Sequence, residues 1–107
     1  MSIFYQLEST VPKEIFPNWF GQMIHGEHMT VSYFRAKAGS LLPRHSHHHE
    51  QISNILEGQL ELTIGDETRI CKAGDVAVIP SHVPHQARAI TDVYVMDVFS
   101  PVREEYR

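Results

Sequence analysis

Between Gln59 and Ile64 apolar and polar side chains alternate one for one, with Leu60, Leu62 and Ile64 interleaved among Gln59, Glu61 and Thr63. A period of two marks a strand with one face on a core and one toward water. Gly65-Asp66 supplies a tight turn into Thr68-Arg69-Ile70-Cys71-Lys72, so this stretch predicts a β-hairpin, which Ala73-Gly74-Asp75 ends. Val76 to Ile79 is apolar at every position and stops at Pro80, predicting a strand buried on both faces, and Val93 to Phe99 repeats that character before Pro101. Upstream, Gly21 to His25 and His28 to Arg35 flank Gly26-Glu27 with hairpin spacing. No helical period is sustained. A single helical turn is expected near Val11 to Ile15, where Pro12 suits a first helical position and Pro17 cuts the helix off. Short strands at this regular spacing predict an all-β sandwich or small closed barrel whose interior can hold one small ligand. No repeat, linker or low-complexity segment divides the chain, so one domain over residues 1–107 is expected.

Composition narrows the partners. The thirteen acidic and nine basic residues, net charge -4, are spread without blocks of like charge, and no Lys/Arg cluster follows a phosphate backbone. Nucleic acid is therefore not an expected partner. Apolar runs fall far short of the roughly 20 residues of a spanning helix, so no membrane partner is expected either. Cys71 is the only cysteine, which forbids an internal disulfide, and no charged leader with an apolar core opens the chain; a cytoplasmic location is expected. The first thirty residues hold Ile3, Phe4, Tyr5, Leu7, Ile15, Phe16, Trp19 and Phe20. That is more apolar surface than one small barrel covers, and it predicts a homodimer.

The candidate chemistry lies in two histidine-bearing runs, Gly39 to Gln51 and Gly74 to His85. By strand parity His45, His47, His49 and Gln51 share one face and His48 takes the other. Two neighbouring strands could bring His45 and His47 from one side and His85 from the other to a common metal ion.

The spacing of these runs also resembles a family. Gly39, five residues, His45-x-His47, then Gln51, six residues and Gly58 is similar to the first signature of the cupins; Gly74, five residues, Pro80 and then His85 is similar to the second. Gln51 stands where a glutamate ligand is usual, His82 where a glycine is, and Ala89 where an asparagine is. The string His45-Ser46-His47-x-His49-Glu50-Gln51, together with Asp97-x-Phe99-x-Pro101-x-Arg103, resembles the KdgF-type cupins, which open the ring of unsaturated uronates released from pectin or alginate. The resemblance implies a jelly-roll (double-stranded β-helix) barrel with an N-terminal β extension. It also implies one divalent metal on His45, His47, Gln51 and His85, with Asp97, Phe99 and Arg103 arranged around it.

Three imidazoles and an amide carbonyl are neutral, so a bound divalent ion keeps its full charge and acts as a Lewis acid; nickel, zinc, iron, manganese and copper all suit such a set. Asp97 interrupts an apolar run, where an uncompensated carboxylate costs several kcal/mol. It is either a proton-transferring group beside the metal or a structural partner for Arg103. Arg103 offers a planar fork for a carboxylate, against the alternative of a solvated tail residue. Phe99 is either a substrate platform or core. His25, His28 and His82 are expected at the surface or rim, His49 has no assigned role, and Cys71 is expected to be inert. The expected activity is conversion of a small carbohydrate acid, a 4,5-unsaturated monouronate, to its linear keto form. A metal-dependent cupin dioxygenase and a non-catalytic sugar- or metal-binding module stay open beside it. Oxygen uptake, loss of ultraviolet absorbance at the C4–C5 double bond, and binding without turnover separate the three.

Overall fold

In chain order the strands are β1 (Lys13–Phe16), β2 (Trp19–His25), β3 (Thr30–Ala36), β4 (Leu41–His45), β5 (Glu50–Glu57), β6 (Gln59–Ile64), β7 (Glu67–Lys72), β8 (Val76–Ile79), β9 (His85–Ala89) and β10 (Val93–Ser100). They belong to a computed structural model that describes residues 3–107. A six-stranded sheet in the order β1-β2-β3-β10-β5-β8 faces a four-stranded sheet in the order β4-β9-β6-β7, and every pairing is antiparallel. This is the all-β sandwich that the alternation predicts and the jelly roll that the resemblance implies. The Gly65-Asp66 turn joins β6 to β7 as expected, with Ile64 opposite Glu67. At Gly58, between β5 and β6, φ is +84° and an added Cβ would lie 2.1 Å from the Asp92 carbonyl oxygen, so only glycine fits.

Register fills the interior in layers. Across β3, β10 and β5 the inward residues meet as Phe34–Val95–Ile55, then Ser32–Asp97–Ser53, then Thr30–Phe99–Gln51. The first layer continues into Trp19, Ala36, Val93 and, from the small sheet, Leu60, Leu62, Ala87 and Ala89, all buried. Full burial of a side chain such as Ile55 or Phe99 stabilises the fold by roughly 1.5–3 kcal/mol. The other two layers are polar apart from Phe99, and the candidate site stands on them.

Two local expectations are corrected. Val76 and Val78 are 59% and 57% exposed, because with Ile52 of β5 they lie on the uncovered outer face of the large sheet, and only Ala77 and Ile79 on the other face of β8 meet the core. Residues 13–16 form β1 rather than a helical turn. Pairing with β2 through Pro17-Asn18, with Asn18 at φ +63°, satisfies that backbone, and a one-turn 3-10 helix lies earlier, at Leu7–Ser9.

Candidate metal centre

Simple alternation would turn His45 outward, because Leu42 faces in and lies three residues before it. One extra residue on β4 corrects this: Leu42 pairs with Ala87, and the next inward pair is His45 with His85. Such a bulge bends the strand and re-aims a side chain, and Pro43, which has no N–H to donate, is tolerated there on an edge strand. His47 lies in the loop after β4 and not on a strand. A bulge and a loop, not shared strand parity, therefore gather the histidines. Gln51 enters from β5 and His85 from β9, both buried.

One ring nitrogen from each of His45, His47 and His85 lies within 4.8 Å of the others. The tautomers follow from the backbone. His45 Nδ1 is 2.7 Å from the Pro43 carbonyl oxygen, His47 Nδ1 is 3.0 Å from that of His49, and His85 Nδ1 is 2.9 Å from that of Val83. A carbonyl only accepts, so each Nδ1 donates and each Nε2 is left as a bare lone pair, as metal-ligating histidines are typically held. Burial, then the Arg103 guanidinium, lowers the His47 pKa to about 4; burial likewise lowers that of His85. Both rings are neutral near pH 7. The Gln51 Oε1 atom lies 3.2 Å from His47 Nε2. Two acceptors facing each other at that distance repel unless a cation lies between them, so the donor set fits a divalent metal.

Asp97 sits beside this cluster. Burial, the largest influence, raises its pKa to about 6, against hydrogen bonds from Ser53 and Gln51 and the positive charge of Arg103. Its Oδ1 atom and the Ser32 hydroxyl across the strand pair have no hydrogen-bond partner among the described residues. The cavity that Asp97 lines with His45, Gln51, Phe99, Arg103 and Tyr106 measures about 20 Å³, the size of one water.

Arg103 is buried rather than a solvated tail residue. Its guanidinium stacks 4.7 Å from the Phe99 ring centroid and 4.3 Å from that of Tyr106, and its ion-pair partner is Glu105, not Asp97. Its backbone N–H donates to Thr30 Oγ1 at 2.9 Å. His49, also buried, is turned away from the cluster and ties the loop to the Val102 carbonyl at 3.1 Å. His25 is half-buried, bridging Thr30 Oγ1 and the Tyr106 carbonyl at 2.9 and 3.2 Å, which corrects its placement at the surface. His28 is exposed, and His82 is exposed at φ +66°, its N–H bonded to the His47 carbonyl at 2.8 Å. Burial raises the Cys71 thiol pKa, as suits an inert cysteine.

Sequence reasoning passed over Ser32, Ser53, Thr30, Glu105 and Tyr106. Thr30 and Ser32 stand at the parity of Phe34 and Ala36, so polar residues in an inward row were visible; what they faced required the register.

Residues 32–99 match the cupin domain family, and the chain belongs to it. The structure is similar to that of an RmlC-like cupin from Shewanella frigidimarina, at 27% identity and a TM-score of 0.94, over 100% of this chain and 97% of that one. It is also similar to KdgF from a Halomonas species, at 25% identity and a TM-score of 0.92, over 100% of both chains. In sequence, 55 residues are 42% identical to the H2HPP isomerase of Bacillus subtilis, spanning 50% of this chain and 23% of that protein. Enzymes are thus among its relatives.

Proposed function

We propose that this cupin is a metal-dependent enzyme that converts 4,5-unsaturated monouronates, of the kind pectin and alginate release, to linear keto acids. The observation that carries this reading is the clustering of Asp97, Phe99 and Arg103 against His45 and Gln51 around one cavity. Arg103, held flat between two aromatic rings, presents the remaining edge of its guanidinium to a carboxylate, which every uronate has. A divalent ion on His45, His47, Gln51 and His85 would supply Lewis-acid polarisation of a substrate oxygen.

The reaction requires only proton shifts. As the C1–O5 bond breaks, the C1 hydroxyl loses its proton to become the aldehyde and O5 remains on C5 as an enol; that enol then loses its O–H proton while C4 gains one, giving the ketone. Composition and oxidation state are unchanged. Asp97, which lines that cavity and carries a carboxylate oxygen without a partner among the described residues, would take and return these protons. The test follows the ultraviolet absorbance of the C4–C5 double bond in unsaturated galacturonate and its alginate-derived counterpart, with an oxygen electrode in the same vessel. Loss of absorbance without oxygen uptake is expected. Oxygen uptake would make the protein a dioxygenase, and binding without turnover would make it a carbohydrate-binding module.

A further inference from the structure

The inward row that carries Gln51 runs on through Phe99 and Thr30 to His25, the last residue of β2 and the cross-strand partner of Thr30. The hydrogen bonds of His25 lead from there to the segment after β10. The Tyr106 carbonyl only accepts, so the His25 Nε2 atom, 3.2 Å away, carries the proton. In a neutral ring Nδ1 is then an acceptor, and it takes the proton of the Thr30 hydroxyl at 2.9 Å. The Thr30 oxygen keeps its lone pairs for the Arg103 N–H, also at 2.9 Å. One direction of donation thus ties both ends of the turn from Arg103 to Tyr106 to a single imidazole.

That turn needs holding. It is a 3-10 helix of one turn at Glu104–Tyr106 with no side-chain cap at Arg103. Its own backbone bonds, Tyr106 N–H to the Arg103 carbonyl at 3.0 Å and Arg107 N–H to that of Glu104 at 3.1 Å, are too few to fix so short a helix alone. Of the two rings that enclose the Arg103 guanidinium, Phe99 is set by β10, whereas Tyr106 rides on the turn. Lys13 Nζ also approaches the Tyr106 carbonyl, at 3.4 Å, but from an exposed side chain; Thr30 is fully buried. We propose that His25, acting through Thr30 and the Tyr106 carbonyl, is a positioning residue for Arg103: it pins the turn so that the guanidinium stays seated between its two rings with an edge toward a carboxylate. The inference deepens the uronate reading and rests on it for the role of Arg103.

The test is calorimetric binding of D-galacturonate, a uronate without the C4–C5 double bond and so unable to react, to zinc-loaded protein, with D-galactose as the neutral control. His25→Ala and Thr30→Val should each weaken galacturonate binding about 3- to 10-fold, the size of one hydrogen bond, and leave galactose binding unchanged. His25→Gln, which keeps a donor for the Tyr106 carbonyl, and Thr30→Ser, which keeps the hydroxyl, should recover the loss. With the unsaturated uronate the first two variants should raise KM by the same factor at parental kcat; a fall in kcat at unchanged KM would mark a merely structural role and overturn the proposal. A reading that needs no variant to fold comes from the parent, where the Arg103 amide should exchange slowly with solvent, and fast exchange would refute the anchor. Equal affinity of the parent for galacturonate and galactose would deny Arg103 the carboxylate and overturn the inference with it. Galacturonate binding without turnover of its unsaturated counterpart would sink the proposed activity and leave the anchor standing. Parental affinity in His25→Ala and Thr30→Val would sink the anchor and leave the activity to the ultraviolet assay.

Discussion

At Asp97 a proton weighs on stability as well as on chemistry. Its pKa rises from 3.8 to about 6 on burial, so holding the carboxylate ionised in the metal-free fold costs about 3 kcal/mol. Because the folded value is the higher one, the stability that comes from the protonated form is complete below about pH 4 and is lost as pH rises through about 6. Asp97→Asn does not titrate. In chelator-treated protein, urea unfolding should show the variant gaining on the parent by about 3 kcal/mol between pH 4 and pH 7.5; a gap independent of pH would contradict the burial argument. The same variant should lose at least roughly 100-fold in turnover, a usual size for a missing acid–base group. Arg103→Lys keeps the charge but neither the fork nor the stacking on Phe99 and Tyr106. It should raise KM for the uronate more than it lowers kcat in steady-state kinetics.

At the scale of the element, what was legible depended on whether a local pattern decides the structure. Alternation at Leu60, Leu62 and Ile64 and the Gly65-Asp66 turn carry their own instruction, and that hairpin formed as read. The all-apolar Val76 to Ile79 said nothing about what covers its outer face, and that face of the large sheet proved to be uncovered. His45, His47 and His85 were named from their spacing, but the means of gathering them was not, because a one-residue bulge at Pro43 and Arg44 follows from pairing with β9 and leaves no mark in the pattern of β4 alone. Asp97 stood out as a lone charge in an apolar strand. Its setting between Ser32 and Ser53, like the seat of Arg103 between Phe99 and Tyr106, depends on contacts between residues distant in sequence.

For the molecule as a whole, the histidine cluster joins both sheets, with Gln51 on one and His45 and His85 on the other, so a bound metal bridges them. Elemental analysis should find about one divalent ion per parent chain and a large deficit in folded His45→Ala and His85→Ala. Adding metal at about 100 times its Kd should stabilise the stripped parent by about 2.7 kcal/mol, raising Tm by about 10 °C, and should leave both variants unmoved. Of the N-terminal apolar residues, Ile15, Phe16 and Trp19 pack into the chain's own core, while Ile3 and Tyr5 stay exposed beside Met29. On the outer face of the large sheet Ile52 sits opposite Val78, both exposed, with Leu56 and Val76 exposed nearby. We expect a second copy related by a two-fold axis to cover such a face, and light scattering at tens of micromolar protein should then give twice the 12.3 kDa chain mass.

The layered filling of the barrel has a consequence for traffic. Trp19, Phe34, Val95 and Ile55 seal the interior below Asp97, so a molecule held at the histidines has no rear exit and must leave by the doorway it entered. Arrivals and departures share one threshold. If the proposed reaction is its function, the linear keto acid would keep its carboxylate and so its claim on Arg103, and would hold the doorway against the next uronate until it let go.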